Sequence, residues 1–244
     1  MSPTWIIFKR EFGSFFATPV AYIFILIFLI LSGVFTFMFG GFYERGQADL
    51  LSFFNFHPWL YLFLVPAIAM RTWSEERKNG TIELIMTLPL NTMQVMLGKF
   101  FAAWLVLGLC LLLTFPLWLS VNYLGDPDNG IILAAYLGSW LMAGAFLAVG
   151  ICMSACTKNQ VVAFILAVVV CFIFVLSGSP VVIELFQTWA PNEVIDTIAA
   201  LSFLTHFQNI AKGLISLNDV LFYIMSILAW LLAAYIMIEQ KKAN

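Results

Sequence analysis

Charged side chains are concentrated between positions 71 and 99. This stretch holds four of the eleven Lys/Arg residues and three of the thirteen Asp/Glu residues, and the sequence on both sides of it is apolar. Charges at this density can pair with charges on another protein, and they are costly inside a bilayer. We therefore predict that the stretch meets the cytoplasm or a protein partner, and that the function is carried there.

Residue types that support catalysis are scarce. The chain has no His-Glu-x-x-His zinc motif and no Gly-x-Ser-x-Gly elbow, and His57 and His206 lack Cys or carboxylate neighbours at ligand spacing. Interfacial hydrogen bonding is the predicted role of both histidines. Cys152 and Cys156 share a helix face, which would suit a metal pair, but burial as small apolar side chains is the favoured interpretation. We predict no metal site and no catalytic residue in this chain.

Apolar runs long enough to cross a bilayer, for which a helix needs about 20 residues, make up most of the chain. The sequence is 63% hydrophobic and only 10% charged, which is typical of an all-α polytopic membrane protein. The second run is the least secure, because its purely apolar part covers only positions 59–70. The six predicted spans are residues 20–42, 51–70, 100–124, 131–156, 161–183 and 220–238.

The chain also lacks an evident energy source of its own. It has no Gly-x-x-x-x-Gly-Lys-[Ser/Thr] loop that would cradle the phosphates of ATP. With the boundaries above, the spans contain no Asp, Glu, Lys or Arg, so no proton or sodium site is expected at mid-membrane. We therefore expect that a separate chain supplies the energy.

Lysine and arginine residues set the predicted orientation. With six spans and an inside N-terminus, nine of the eleven face the cytoplasm, and only Arg45 and Lys212 lie outside. Both termini are therefore predicted to be cytoplasmic. The first span lacks a convincing cleavage site for a signal peptide and is expected to stay as an anchor. The nine cytoplasmic residues are Lys9, Arg10, Arg71, Arg77, Lys78, Lys99, Lys158, Lys241 and Lys242.

Residues 3–17 are predicted to form a short helix on the inner membrane surface. Aromatic side chains recur there at helical spacing, and two cations lie off that stripe, as in helices that lie in the plane of a membrane. The residues that define this interfacial helix are Trp5, Phe8, Lys9, Arg10 and Phe12.

The stretch 71–99 is predicted to be a compact helical elbow. Asn79-Gly80 breaks its polar first part, and Thr81 can cap a new helical turn with Glu83 near the positive end. The apolar face of that short helix comprises Leu84, Ile85 and Leu88.

The elbow is also predicted to end sharply. Pro89 stops the short helix, and Asn91 followed by Gln94 resembles a capping box that starts the third membrane helix. Two helix ends and two helix starts in so short a stretch favour a rigid connection between the membrane helices. By contrast, residues 125–130 and 157–160 are predicted to be plain turns.

Residues 184–219 are predicted to form an outer helical segment. Pro180 and Pro191 interrupt this part of the chain, and neither piece is both long and apolar enough to cross. Because backbone exposed to lipid must be helical, we expect a pair of short helices that dip into the outer leaflet or cover the bundle. Its candidate functional residues are His206, Phe207, Lys212 and Asp219.

The elbow resembles the signature of permease subunits of type-2 ATP-binding-cassette exporters. The similarity rests on Glu-Glu-Arg-Lys-Asn-Gly-Thr-Ile-Glu-Leu-Ile-Met-Thr-Leu-Pro at positions 75–89 and Gly-Lys-Phe at positions 98–100. The sequences Leu-Thr-His-Phe-Gln-Asn-Ile-Ala-Lys-Gly at 204–213 and Asn-Asp-Val at 218–220 are similar to the branch that contains gliding-motility and nitrous-oxide-reductase maturation permeases.

This resemblance implies a transmembrane half-transporter in the bacterial inner membrane. It implies pairing with a second permease subunit, expected to be an identical copy, and with two cytoplasmic ATPases that bind ATP and Mg²⁺; the chain itself would bind no cofactor. A periplasmic or membrane-anchored accessory protein is a further expected partner, and nucleic acid is not. The residues that match the coupling element are Glu75, Glu76, Arg77, Gly80, Thr81 and Glu83.

Two mechanisms follow from this resemblance. In the first, ATP-driven closure of the ATPases pushes the elbow and drives alternating access, with Glu76 and Arg77 paired to charges on the ATPase. In the second, the same motion acts on a periplasmic partner without moving a substrate. A stand-alone channel is a third class. The alternative interpretation of the elbow charges is that they only keep a loop in water.

Overall fold

A computed structural model describes residues 3–82, 91–187 and 191–240, except for the side chain of Leu185. Every regular element in these ranges is a helix, as predicted for an all-α protein. The helices are α1 (Pro3–Ala17), α2 (Val20–Val34) with a π-helical continuation (Phe35–Phe39), α3 (Leu51–Asn55), α4 (His57–Ala69), α5 (Arg71–Lys78), α6 (Thr92–Leu112), α7 (Phe115–Leu124), α8 (Asn129–Cys156), α9 (Gln160–Leu176), α10 (Pro180–Gln187), α11 (Asn192–Ala200), α12 (Phe203–Ala211) and α13 (Leu217–Gln240).

Four helical stretches in the described residues are long and apolar enough to cross a membrane. They coincide with the predicted first, third, fourth and sixth spans, so the protein is a multi-pass membrane protein. These stretches are Val20–Phe39, Thr92–Leu124, Asn129–Cys156 and Leu217–Gln240.

The predicted second span, residues 51–70, consists of two short helices. α3 and α4 meet at Phe56, where Pro58 suits the first turn of a new helix. α4 also contains Pro66, which removes one backbone hydrogen bond. Neither helix alone reaches the length of a membrane crossing, so a second span stays a prediction.

The predicted fifth span, residues 161–183, is not one continuous helix, and its boundary in the membrane stays a prediction. α9 ends at Leu176, and Pro180 begins α10 after a turn in which the Ser179 amide donates to the Leu176 carbonyl. Gly178 in this turn packs against Ser202, where a Cβ atom would collide. The apolar residues that follow Pro180 hid the helix end from hydropathy alone, and α9 is 17 residues long.

The core surrounds α8, which contacts α4, α5, α6, α9, α12 and α13. Small residues on α8 allow this close packing, which is the usual device between membrane helices. Gly138 lies against Ile210, and Gly144 lies against Trp104 and Ile227. Because α8 is buried on all sides along its inner length, it is the element that can pass a displacement to every neighbour.

Helix starts follow the local sequence. The predicted capping box is present: the Asn91 side chain accepts from the Met93 amide, and the Gln94 side chain accepts from the Asn91 amide. The side chains of Asp128 and Asn159 cap α8 and α9, so the predicted turns at 125–130 and 157–160 end in the first residues of these helices.

Both ends of the described chain lie at the same end of the bundle. α1 packs on α6, where a Cβ at Gly98 would lie 2.7 Å from Ile7. Thr92 at the start of α6 donates to Glu239 in the last turn of α13, with 2.6 Å between the oxygens. We call this the elbow end, and the opposite end the outer end. Which of them faces the cytoplasm stays a prediction, and Lys241 and Lys242 lie outside the described residues.

The outer segment differs from the predicted pair of helices. The described residues contain three short helices there, α10, α11 and α12. The last helix begins at Leu217 rather than Val220, because Ser216 caps it through the Asp219 amide. Asp219 is therefore inside the first turn of α13, and it is buried.

Candidate functional site

The elbow helix α5 is attached to the end of α8 through Ser154. The Ser154 hydroxyl accepts hydrogen bonds from the amides of Trp73 and Ser74, each at 3.0 Å, and donates to the Met70 carbonyl at 2.8 Å. The first amides of any helix lack partners within that helix. Ser154 satisfies the Trp73 amide from another element and is a further partner for the Ser74 amide, and thereby uses its one proton and both lone pairs.

A second attachment joins the other end of α5 to α8. Arg77 Nη1 donates to the carbonyl oxygen of Ala155 at 2.5 Å. This carbonyl belongs to the last turn of α8, where the helix dipole is negative and a guanidinium group is favourable. α5 is therefore held at both of its ends by the same helix.

A buried lysine links α5 to the interfacial helix. Lys99 on α6 is only 5% exposed, and its Nζ atom lies 2.6 Å from Glu76 Oε1 and 3.4 Å from Glu11 Oε1. The same ammonium group lies 5.5 Å from the centre of the Trp73 ring. We call Glu11, Glu76 and Lys99 the Lys99 cluster; it joins α1, α5 and α6.

The two carboxyl groups of the Lys99 cluster have opposite electrostatic surroundings. Burial acts to raise the pKa of Glu11, but the attraction of Lys99 and Arg10 outweighs it and lowers that pKa below the usual value. Burial also acts to raise the pKa of Glu76, and the negative charge of Glu11 acts in the same direction. Together they outweigh the attraction of Lys99, so the pKa of Glu76 is raised above its usual value. In the described part of the chain, Glu76 Oε2 is buried without a hydrogen-bond partner.

The predicted interfacial helix is helical over residues 3–17, and its position at the membrane surface stays a prediction. The rings of Trp5, Phe8, Phe12 and Phe16 follow one another along α1, with centroids 5.0 to 5.9 Å apart. Arg10 is exposed and pairs with Glu11 at 2.5 Å, and Lys9 is exposed. α1 thus carries an aromatic face as well as a face bound to α6.

A cleft of about 480 Å³ opens between α1 and α5 at the elbow end. Its walls carry charges of both signs, including Arg10 and Glu11 from α1 and Arg71 and Glu75 from α5. The three residues of the Lys99 cluster also line the cleft. It is large enough to receive side chains of another protein.

The predicted coupling residues fall into two groups. Glu75, Gly80 and Thr81 are exposed, and Gly80 has a φ of +69°, a backbone conformation that suits glycine. Glu76 and Arg77 instead face the bundle and have partners within the chain. Their charges are therefore balanced without an ATPase, and their predicted pairing with one stays a prediction. Glu83 and the apolar residues after it lie outside the described residues.

The outer candidates lie apart from the elbow, and only two of them meet. His206 Nδ1 lies 2.5 Å from Asp219 Oδ1 and its Nε2 lies 2.9 Å from the Ala200 carbonyl oxygen. Phe207 is buried against the core, and Lys212 is exposed at the end of α12.

The predicted hydrogen-bonding role of His57 is met inside the bundle, and its position relative to the membrane interface stays a prediction. His57 is fully buried between α4 and α8, where its Nδ1 atom lies 2.7 Å from the Ser139 hydroxyl. The hydroxyl of Tyr61 bonds to the same serine at 2.8 Å. Among the described residues, no three His, Cys, Asp or Glu side chains are placed to hold a metal ion.

A comparison with protein families gives the decisive observation. The family described as ABC-2 family transporter protein matches residues 43–238. The chain belongs to the ABC-2 transporter family. A comparison with curated proteins found no significant match.

Membership explains the scarcity of catalytic residues in this ABC-2 permease. It is a transmembrane component of an ATP-binding-cassette transporter, and it associates with an ATPase of that class rather than hydrolysing ATP itself. The matched range begins after α1 and includes α5, Lys99 and Ser154. The elbow and its attachment to α8 therefore lie within the part shared with the family.

Sequence reasoning named Glu76 and Arg77, but it missed Glu11 and Ser154 and gave Lys99 no partner. Glu11 is one acid on a helix chosen for its aromatic stripe, and nothing near it in sequence identifies Lys99 as its partner. Ser154 is one of many small residues on α8. Of these residues, only Lys99 stands out in the sequence, because it is a lysine immediately before an apolar run.

Proposed function

We propose that this permease subunit transmits the motion of separate cytoplasmic ATPases to the membrane helices, and that the elbow receives that motion. The observation that supports the proposal is the attachment of α5 to three elements: α8 through Ser154 and Arg77, and α1 and α6 through Lys99. A push on a helix held in this way displaces the bundle rather than bending a loop.

The exposed edge of α5 is the proposed contact with the ATPase. Glu75 and Lys78 are exposed on this helix, and Gly80 and Thr81 extend the edge into the following turn. The cleft between α1 and α5 lies beside it. Glu76 and Arg77, which are turned inward, would then hold the elbow in position instead of contacting the ATPase.

The proposed arrangement in the membrane places the elbow end in the cytoplasm. This orientation follows the excess of Lys and Arg at that end. Six crossings would require α9 and the pair α3 and α4 to span in addition to the four long stretches. The proposed membrane is the bacterial inner membrane.

The proposed complex contains two copies of this chain and two ATPases, with ATP and Mg²⁺ bound by the ATPases alone. A single bundle whose central helix is packed on all sides leaves little room for a path through it. A path between two copies, opened alternately to each side, removes that difficulty, and closed two-fold dimers are the commonest assemblies.

A test of the coupling role uses the reconstituted complex with its ATPase in lipid nanodiscs. A spin label replaces Tyr123, which is 92% exposed at the outer end, and the distance between the labels of the two copies is measured with and without ATP. We expect an ATP-dependent change in that distance. The double substitution Glu75→Ala and Lys78→Ala should abolish the change while the membrane helices stay folded.

The matched control removes two exposed charges at the outer end, with Glu193→Ala and Asp196→Ala. This variant should retain the ATP-dependent change. An equal loss in both double variants, or a full response in the elbow variant, would contradict the proposed contact.

A second candidate function is mechanical action on a periplasmic partner. Three short helices cover the outer end, and they expose Glu184, Glu193 and Asp196. The similarity to gliding-motility and nitrous-oxide-reductase maturation permeases supports this alternative too. ATP-dependent motion of the outer labels without accumulation of any solute in sealed vesicles would favour it over transport.

A further inference from the structure

His206 lies between two groups that accept hydrogen bonds. Its Nδ1 atom is 2.5 Å from Asp219 Oδ1, and its Nε2 atom is 2.9 Å from the carbonyl oxygen of Ala200. A carbonyl oxygen can only accept. A neutral imidazole carries one N–H group, so it cannot donate to both partners, whereas an imidazolium carries two.

Two contacts of the Asp219 carboxyl group stabilise a negative charge, although the residue itself is buried. Its Oδ2 atom accepts a hydrogen bond from the Ser216 hydroxyl at 2.8 Å, and Ser216 in turn accepts from the Asp219 amide at 3.1 Å. Asp219 also lies in the first turn of α13, where the helix dipole favours a negative charge. Proton transfer to Asp219 is therefore a poor alternative to a doubly protonated His206.

An aromatic ring provides a third contact that favours a charged imidazole. The ring of Phe222 is stacked on His206, with 4.0 Å between the ring centres and 22° between the planes. A cation over an aromatic face is attracted to its π electrons. Three independent contacts thus favour the same protonation state.

His206 links three helices of the outer end. It belongs to α12, Ala200 is the last residue of α11, and Asp219 and Phe222 belong to α13. A neighbouring bond supports the same junction, because the Tyr223 hydroxyl donates to the Phe203 carbonyl at 2.7 Å. Loss of one proton from His206 would remove one of the bonds that hold this junction.

Few other charges surround this histidine. Asp219 and Tyr223 on α13 are the titratable groups nearest to the ring. Lys212 follows α12, and Glu193 and Asp196 are exposed on α11. The other helices packed on α12, which are α3, α8 and α9, have no charged residue, and their titratable side chains are Tyr136, Cys152, Cys156 and Cys171.

We infer that His206 is a proton-binding site at the outer end, and that its protonation locks the outer helices α11 and α12 to the membrane helix α13. The lock is closed when the ring carries two protons. It opens as the pH rises and the ring loses one of them, because a neutral ring can keep only one of its two donated bonds. The outer segment thereby responds to the acidity of the compartment it faces.

The protonation state can be observed directly, because the chain has only two histidines. The protein is labelled with ¹⁵N-histidine in nanodiscs, and the His206 signals are assigned as those absent from a His206→Gln sample. We expect both ring nitrogens of His206 to be protonated at the low end of the range from about pH 5 to pH 8, in which histidines change charge. Asp219→Asn should shift this titration to lower pH.

The effect on the junction is measured by amide hydrogen exchange in residues 203–223 over the same pH range, corrected for the intrinsic pH dependence. Loss of a hydrogen bond to a charged group corresponds to about tenfold faster exchange or more at high pH. His206→Gln should remove the pH dependence of protection. Gln94 and its capping box, at the other end of the bundle, provide an internal control whose corrected protection should not change.

Two results would overturn the inference. One is a neutral His206 ring at the lowest pH, with one nitrogen unprotonated. The other is an unchanged titration in Asp219→Asn, provided that its circular dichroism matches the parent. Protection that follows pH equally in the parent and in His206→Gln would refute the lock while leaving the protonation state as inferred.

Discussion

Replacement of Lys99 by methionine tests whether the elbow is held by charge. Methionine is unbranched and only one heavy atom shorter than lysine, so the substitution removes the ammonium group and changes the packing little. Glu76 and Glu11 would then face each other without the cation between them, at a position where Lys99 is 5% exposed and the acids are 16% and 20% exposed.

The expected loss of stability follows from this burial. Removal of one partner from a fully buried ion pair costs about 3 to 5 kcal/mol. Both acids keep some exposure and Glu11 keeps Arg10, so we expect a smaller loss, of about 2 to 3 kcal/mol. Adding Glu76→Gln to the Lys99→Met variant should recover part of that loss, because one unpaired carboxylate is removed.

A thiol-reactive dye provides the assay. The free cysteines Cys110, Cys152 and Cys171 are buried, so their labelling on heating reports unfolding of the bundle. Lys99→Met should lower the midpoint temperature by about 5 °C or more. The control is Lys78→Met, which removes an exposed lysine from α5 and should change stability by less than about 0.5 kcal/mol. Equal midpoints for parent and Lys99→Met, or equal losses in both variants, would refute the bridging role.

Three further outcomes are expected. Ser154→Ala removes the hydroxyl that bonds to the Trp73 and Ser74 amides, while the Met70 carbonyl keeps the Ser74 hydroxyl as a donor, and it should destabilise the bundle by about 1 to 3 kcal/mol. Ser120→Ala, at an exposed serine, should not; equal effects on the dye midpoint would contradict this. The pKa of Glu11 is lowered from 4.5, so the ionised Glu11 stabilises the folded protein fully above about that pH, and this stabilisation is lost as the pH falls through the lowered pKa. In thermal melts at several pH values, the midpoint of Glu11→Gln should therefore fall less on acidification than that of the parent. A Cβ at Gly144 would lie 2.8 Å from Trp104 Nε1, so Gly144→Ala should destabilise by about 1 to 3 kcal/mol, while Gly33→Ala, with nothing within 4 Å, should be neutral or stabilising in the same melts.

Local features of the fold were predictable because they depend on neighbouring residues. The capping box at Asn91 and the break at Gly80 require only a few consecutive positions, and both are present. The predicted fifth span extends past the end of α9 because the apolar residues 181–183 follow Pro180 and prolong the hydropathy signal. The turn there also depends on Gly178 fitting against Ser202, which is a contact between distant parts of the chain.

The candidate site was predictable only in outline. Charge density located the elbow, and the family resemblance gave it a role. The same reasoning assigned Glu76 and Arg77 to an external partner, although Glu76 pairs with Lys99 and Arg77 with the Ala155 carbonyl. A sequence shows that a charge is present, but whether it points outward depends on the helix face that packing buries.

By itself, the sequence determined the class of protein: long apolar runs require helices that satisfy their own backbone in lipid, and a charged stretch between them must remain outside it. Tertiary structure alone decided how that stretch is attached. Ser154 is about 80 positions from the amides it caps, and Lys99 is 23 positions from Glu76. Such pairs form because folding brings buried donors and acceptors together, and no local pattern specifies which of them will meet.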